Sequence, residues 1–188
     1  MTHIEKEAKF LVTDMTTALS DLRSVARYSG TSYIRDIIFG TEGVEKRLRL
    51  RIEDDMKRCH VEVIFKNKIA TEDGIKVELE ELIYCGDSVD EARRAIADQG
   101  SFKEQNSYEK MRVHFAADGA ELTLDVYPYG VWLEIEAETD LIWSLAKKLG
   151  YKKGDAIDSN ADELFLAWCK THAFKEYWDV RFGFTGKG

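Results

Sequence analysis

In Lys46-Arg47-Leu48-Arg49-Leu50-Arg51-Ile52-Glu53, charged and aliphatic side chains alternate from Arg47 onward. Residues two apart in an extended strand share a face. This stretch therefore predicts a strand with Leu48, Leu50 and Ile52 on one side and Arg47, Arg49 and Arg51 on the other. The same rhythm recurs in both directions along the chain. Upstream, Ile4, Ala8, Phe10 and Val12 oppose Glu5, Glu7 and Lys9, with Lys6 the exception on the apolar side. Downstream, Val61, Val63 and Phe65 oppose His60, Glu62, Ile64 and Lys66, and Val77 and Leu79 oppose Lys76, Glu78 and Glu80. Met111, Val113 and Phe115 oppose Lys110, Arg112 and His114, while Leu122, Leu124 and Val126 oppose Glu121, Thr123 and Asp125. Last, Leu133, Ile135 and Ala137 oppose Glu134, Glu136 and Glu138. A weaker strand around Tyr33–Phe39 completes a set of eight.

Helices fit between the strands. Met15, Ala18, Leu19, Leu22, Val25 and Ala26 recur at helical spacing, with Thr13 or Asp14 as N-cap and Gly30 as the stop. Ser88 opens a second helix over 88–99, closed by Gly100. Leu141, Ile142, Leu145, Ala146 and Leu149 form a third stripe, closed by Gly150, and a fourth helix covers about Ala161–Thr171. Asp118-Gly119 between two alternating runs is a hairpin signal. The expectation is an α+β domain, a mostly antiparallel eight-stranded sheet with helices beside it.

Composition narrows the function. The chain has 188 residues, 44% of them hydrophobic, which predicts one domain over 1–188 with a sizeable core. Acids outnumber Lys and Arg by 35 to 27, so a broad nucleic-acid or anionic-membrane surface is not expected. Cys59, Cys85 and Cys169 make no CxxC pair, and His3, His60, His114 and His172 make no HExxH, so neither a disulfide framework nor a zinc site is supported. No GxxxxGK[ST] or GxGxxG occurs. MTHIEKEAKF is charged from its first residues, unlike a secretory leader, and no run of about 18 apolar residues exists, so a cytoplasmic location is expected.

The polar faces are nearly all fully charged, and single strands lean to one sign. A solvated face has no reason to place like charges two apart. If eight strands curl and close, these faces converge on the inside. Glu5, Glu7, Glu78, Glu80, Asp125, Glu134 and Glu136 then meet Lys9, Arg47, Arg49, Arg51, Lys66, Lys76, Lys110 and Arg112. Such an interior is costly to desolvate unless its charges are matched or it holds water. A wet tunnel holding a polyanion and a divalent cation satisfies both sets. Paired carboxylates suit Mg²⁺ or Mn²⁺, and rows of arginine and lysine suit phosphate oxygens.

Glu5-Lys6-Glu7-Ala8-Lys9 resembles the E-x-E-x-K signature of the CYTH domain, the triphosphate tunnel metalloenzymes. It is followed in the family's order by LRLR (Arg49, Arg51), IFK (Lys66), VELE (Glu78, Glu80), YEKMR (Lys110, Arg112) and LDVYPYGVWLEIE (Asp125, Gly130, Glu134, Glu136). The resemblance runs from residue 5 to about 150. It implies an eight-stranded antiparallel closed barrel, a tunnel with flanking helices, that binds triphosphates with a divalent metal. It also implies Glu5, Glu7, Glu134 and Glu136 as metal ligands, and Lys9, Arg49, Arg51, Lys66, Lys110 and Arg112 as the triphosphate clamp. Glu78, Glu80 and Asp125 follow as supporting or second-metal residues, and Lys9, with Glu5 and Glu7, as the catalytic set that activates water.

The chain departs from the family at three places. Ile38 stands where many members carry a tyrosine, leaving Tyr33 as the nearest replacement. His3-Ile4 replaces the His-Phe pair of bacterial cyclases, and Ser159-Asn160-Ala161-Asp162-Glu163-Leu164 only loosely echoes a late S-Y-x-x-L segment.

The leading expectation is Mg²⁺- or Mn²⁺-dependent hydrolysis of a triphosphate, either inorganic tripolyphosphate or a small organic one such as thiamine triphosphate. The alternatives are cyclisation of ATP to cAMP and pyrophosphate, and a non-catalytic polyphosphate-binding module. Segments 67–75 and 100–107 are expected as tunnel-mouth loops. Residues 155–188, with Phe174, Tyr177, Trp178, Phe182 and Phe184, are expected to pack on or plug the tunnel. A homodimer is left open.

Overall fold

The computed structural model describes residues 2–41, 44–172 and 179–183. Its elements run in the order β1 (Thr2–Leu11), α1 (Met15–Val25), β2 (Arg27–Thr41), β3 (Val44–Asp54), β4 (Cys59–Glu72), β5 (Ile75–Gly86), α2 (Val89–Asp98), β6 (Lys103–Ala117), β7 (Ala120–Tyr127), β8 (Gly130–Ala137), α3 (Thr139–Lys148), α4 (Ala161–His172) and β9 (Asp179–Val180). The sheet order is β2-β3-β4-β5-β1-β8-β7-β6, and β2 also pairs with β6. That last pairing closes an eight-stranded, fully antiparallel barrel with no free edge. The short β9, which the alternation does not reveal, adds to β6 in parallel.

The main hydrophobic core lies outside the barrel, between its outer wall and helices α1, α2 and α3. The outward residues Phe10, Phe115, Leu122, Leu124, Leu133 and Ile135 pack with Leu22 of α1 and with Ile142, Leu145 and Ala146 of α3. Ala92 and Ile96 of α2 cover Ile37, Leu48, Leu50, Val61 and Val63. Phe165 and Cys169 of α4 pack instead at one end of the barrel, on Tyr127, which also lines the lumen, and on Tyr129 and Trp132. The aliphatic half of each alternating strand is therefore spent on this shell, which leaves the charged half for the lumen.

Several boundaries differ from the sequence reading. Asp14 caps α1 by accepting from the N–H groups of Thr16 and Thr17, but the helix ends at Ala26 rather than running to Gly30. Gly30 sits inside β2, where pairing with β6 shifts register, because the backbone has already become extended at Ala26. The weak strand at Tyr33–Phe39 is the middle of a fifteen-residue strand. Residues 67–72 and 103–107 are not loops but continuations of β4 and β6. Phe174, Tyr177, Trp178 and Phe184 lie outside the described residues. Among the described residues no helix is long and apolar enough to cross a membrane.

Phe10 is fully buried, stacked on Tyr151 and set edge-on to Trp143. Phe10→Ala is expected to lower the free energy of unfolding by about 3–5 kcal/mol, because the outer shell cannot collapse around the lost ring. Urea denaturation checks this value.

Candidate active site

The inward residues of all eight barrel strands line one cavity of about 870 Å³. Lys9, Glu5, Glu7, Arg49, Arg51, Lys66, Lys110, Arg112, Glu134, Glu136, Glu78 and Glu80 all border it. Asp125 is fully buried in the wall behind them. The register decides which charges meet: Lys9 lies opposite Glu134, Glu7 opposite both Lys76 and Glu136, and Glu5 opposite Glu78.

The cations are held in chains of carboxylates. Arg112 donates to both Asp125 oxygens at 2.6 Å and to Glu134 at 2.7 Å, and Lys110 Nζ reaches Asp125 at 2.7 Å. Lys9 Nζ lies 3.1 Å from Glu134 and 3.7 Å from Glu7, and Lys76 bridges Glu7 at 2.8 Å and Glu78 at 3.0 Å. Lys66 contacts Glu80 and lies 3.2 Å from Glu5 and 3.3 Å from Glu78. Arg51 makes a bidentate pair with Asp36 at 2.8 Å. Asp36 owes its place to the register, which pairs it directly with Arg51 across β2 and β3.

Burial would strip charge from these groups, and the neighbours decide the outcome. For Lys9, burial lowers the pKa, but Glu134 and then Glu7 outweigh it and hold the ammonium above its usual range. Lys9 therefore stands as a cation here and not as a free base. Burial and the nearby Arg112 bring Lys110 down to about 8, with Asp125 opposing. Glu136 goes the other way. Burial, then the carboxylates of Glu5, Glu121, Glu7 and Glu80, push it up to about 7.

At the mouth away from α4, His114 lies 2.9 Å from Ser32 Oγ and 3.3 Å from Glu53, with Glu121 at 3.5 Å from its other nitrogen. The hydrogen bond from His114, against opposing burial, draws Glu53 down to about 2. Glu138 and His60 do not border the cavity, although the alternation put them on the charged faces. Glu138 instead pairs outside with Lys6, which accounts for the break in the β1 pattern. Tyr33 does not replace the missing tyrosine either: it hydrogen-bonds Glu109 and does not border the tunnel. A lysine–tyrosine contact exists elsewhere, between Lys110 Nζ and Tyr127 OH at 3.4 Å.

Among the described residues, thirteen carboxylates and nine Lys or Arg side chains border the cavity, an excess of acid. Glu5, Glu78 and Glu80 bring carboxylate oxygens within 4.8 Å of one another. Arg49 Nε is buried with no hydrogen-bond partner, although the same guanidinium pairs with Glu62 at 3.2 Å. Hard oxygen donors in excess of the cations suit a divalent cation, and an unsatisfied guanidinium donor suits an anion.

Comparison with protein-family models and with curated sequences finds no match. Solved structures do match. The PH1012 protein of Pyrococcus horikoshii is 24% identical, with a TM-score of 0.69 over 85% of this chain and 98% of that one. A protein of Vibrio parahaemolyticus described as a "putative adenylate cyclase" is 16% identical, with a TM-score of 0.70 over 86% and 98%. HpAC1 of Hippeastrum, described as a "putative adenylyl cyclase" that reveals a dominant triphosphatase activity, is 20% identical, with a TM-score of 0.58 over 87% and 95%. The chain shares the closed eight-stranded barrel fold of these structures. In that fold, the alternation that resembles the CYTH motifs becomes the lumen of the tunnel.

Glu136 yields a pH prediction. Its pKa is higher in the folded protein than the ordinary 4.5, so the unfolded chain gives up that proton first. Stability is therefore lost as pH rises from about 4.5 to about 7. Glu136→Gln is expected to be more stable than the parent at pH 8 and equal to it below pH 4.5. Thermal unfolding of the metal-free proteins at both pH values checks this.

Proposed function

We propose that the protein hydrolyses a triphosphate with the aid of Mg²⁺ or Mn²⁺, the substrate being inorganic tripolyphosphate or a small organic triphosphate such as thiamine triphosphate. The observation that carries this reading is the convergence of a cationic clamp and an excess of carboxylates on one cavity. A triphosphate entering so acidic a lumen needs accompanying positive charge. Carboxylates that exceed their lysine and arginine partners can hold it. Glu5, Glu7, Glu134 and Glu136 would hold the cation, with Glu78 and Glu80 converging on Glu5. A divalent cation supplies charge neutralisation on phosphoryl oxygens.

The remaining work falls to the chain's own residues. Phosphoryl transfer asks chiefly for positioning and for stabilisation of charge on the transferring group. Arg49, with an unused Nε donor, and Arg112, fixed by Asp125, present planar guanidinium groups to phosphate oxygens. Lys9, Lys66 and Lys110 add point charges, and Arg51, locked by Asp36, holds the wall of the clamp. Lys9 is charged, so proton removal from the attacking water passes to a carboxylate. The triphosphatase activity described for the Hippeastrum protein, on the same fold, supports hydrolysis.

A panel of tripolyphosphate, thiamine triphosphate and ATP with Mg²⁺ or Mn²⁺, with products resolved by phosphorus NMR, tests the reading. Orthophosphate released from the terminal position is expected. cAMP with pyrophosphate would establish the cyclase instead, and binding without metal-dependent release would establish a polyphosphate-binding module. Glu136→Gln and Glu134→Gln are each expected to cut metal-dependent turnover by about 100-fold or more while circular dichroism stays unchanged. Parent-like turnover in either variant would contradict the assignment.

A further inference from the structure

One end of the tunnel is crossed by residues 157–163, the strap that leads into α4. Asp158, Asn160, Ala161, Asp162 and Glu163 border the cavity there. On the β1 side the strap is tied by the Ile157 N–H donating to the Lys9 carbonyl at 2.8 Å and by Lys9 Nζ donating to the Ser159 carbonyl at 3.3 Å. The Tyr129 hydroxyl donates to the Ala161 carbonyl at 2.9 Å. On the opposite wall the ties are ionic. Lys68 Nζ donates to both oxygens of Asp158 at 2.8 Å, the Thr71 hydroxyl donates to Asp158 at 2.7 Å, and Arg47 donates to Asp162 at 3.3 Å.

Arg47 and Lys68 continue the cationic lining of β3 and β4 towards this end, beyond Arg49 and Lys66. Their side chains are 48% and 45% exposed, against 13% and 20% for Arg49 and Lys66. They would be the next positive charges for a longer anion to meet, and both are already met by strap carboxylates. The first turn of α4 offers no substitute. Asn160 accepts from the Glu163 N–H while Glu163 accepts from the Asn160 N–H, so the helix start is closed on itself.

We propose that Asp158 and Asp162 terminate the phosphate-binding row. By neutralising Lys68 and Arg47 from within the chain, they make the tunnel select a short, three-phosphate anion over longer linear polyphosphates. This inference rests on the triphosphate reading of the site and adds its length selectivity.

Calorimetric titration of the full chain with inorganic tripolyphosphate and with a long linear polyphosphate tests the proposal. In Asp158→Asn/Asp162→Asn, freeing Lys68 and Arg47 is expected to tighten binding of the long chain by about tenfold and to leave tripolyphosphate within about threefold. An equal gain for both lengths, or no gain for the long one, would overturn the proposal. If the double variant does not fold, Arg47→Gln/Lys68→Gln decides. Unchanged tripolyphosphate affinity supports the proposal, and a loss of about tenfold overturns it, because those cations would then be holding the short substrate. Failure of the parent protein to bind either polyanion would overturn the triphosphate reading together with this one, whereas equal gains at both lengths overturn the length selectivity alone.

Discussion

Ionised side chains removed from bulk water must be matched, and that requirement governs how this barrel is built. A carboxylate or an ammonium group loses several kcal/mol of hydration on entering a protein interior, and removing one partner of a buried pair leaves the other uncompensated. The tunnel meets the requirement with shared contacts instead of isolated pairs. Asp125, fully buried, serves both Lys110 and Arg112, and Arg112 in turn reaches Glu134, which also faces Lys9. Lys66 and Lys76 each join two or more carboxylates. The matching is incomplete at Glu136, whose neighbours are other acids and whose carboxyl is pushed up to about 7. It is also incomplete at Arg49, where one buried donor has no partner. These two residues mark where an added cation and an added anion are accommodated at least cost.

The barrel makes such an interior possible because its hydrophobic core lies on the other side of the wall. Phe10, Leu122 and Ile135 face α1 and α3 while their neighbours Lys9, Glu121 and Glu136 face the lumen. Each strand thus serves two environments through the two-residue period of the pleat. Closure through β2 and β6 removes the sheet edges and encloses the charges.

Much of this was legible in the sequence because the period is so regular. Arg47, Arg49 and Arg51 announced their face, and the ordered motifs from Glu5 to Glu136 identified the tunnel. What stayed hidden depends on register and twist. Asp36 follows Arg35 and precedes Ile37, Ile38 and Phe39, a stretch with no clean alternation, so its inward direction emerges only from the pairing that sets it opposite Arg51. His60 and Glu138 sit near strand ends, outside the lumen that the alternation assigned to them. The extensions of β4 and β6 past their alternating segments resemble loops in sequence because, Ser107 apart, their side chains are exposed or half-buried and carry no apolar period. The strap acids Asp158 and Asp162 give no local signal, since their partners lie 90 and 115 residues away in sequence.

The most direct measurement is a crystal structure of the protein soaked with Mn²⁺ and tripolyphosphate, with the metal located by its anomalous signal. The account predicts tripolyphosphate density inside the barrel against Arg49, Lys66 and Arg112, and a manganese peak among the lumen carboxylates that include Glu5 and Glu136. Manganese and phosphate found only on the outer surface, with the lumen charges still paired among themselves, would contradict it.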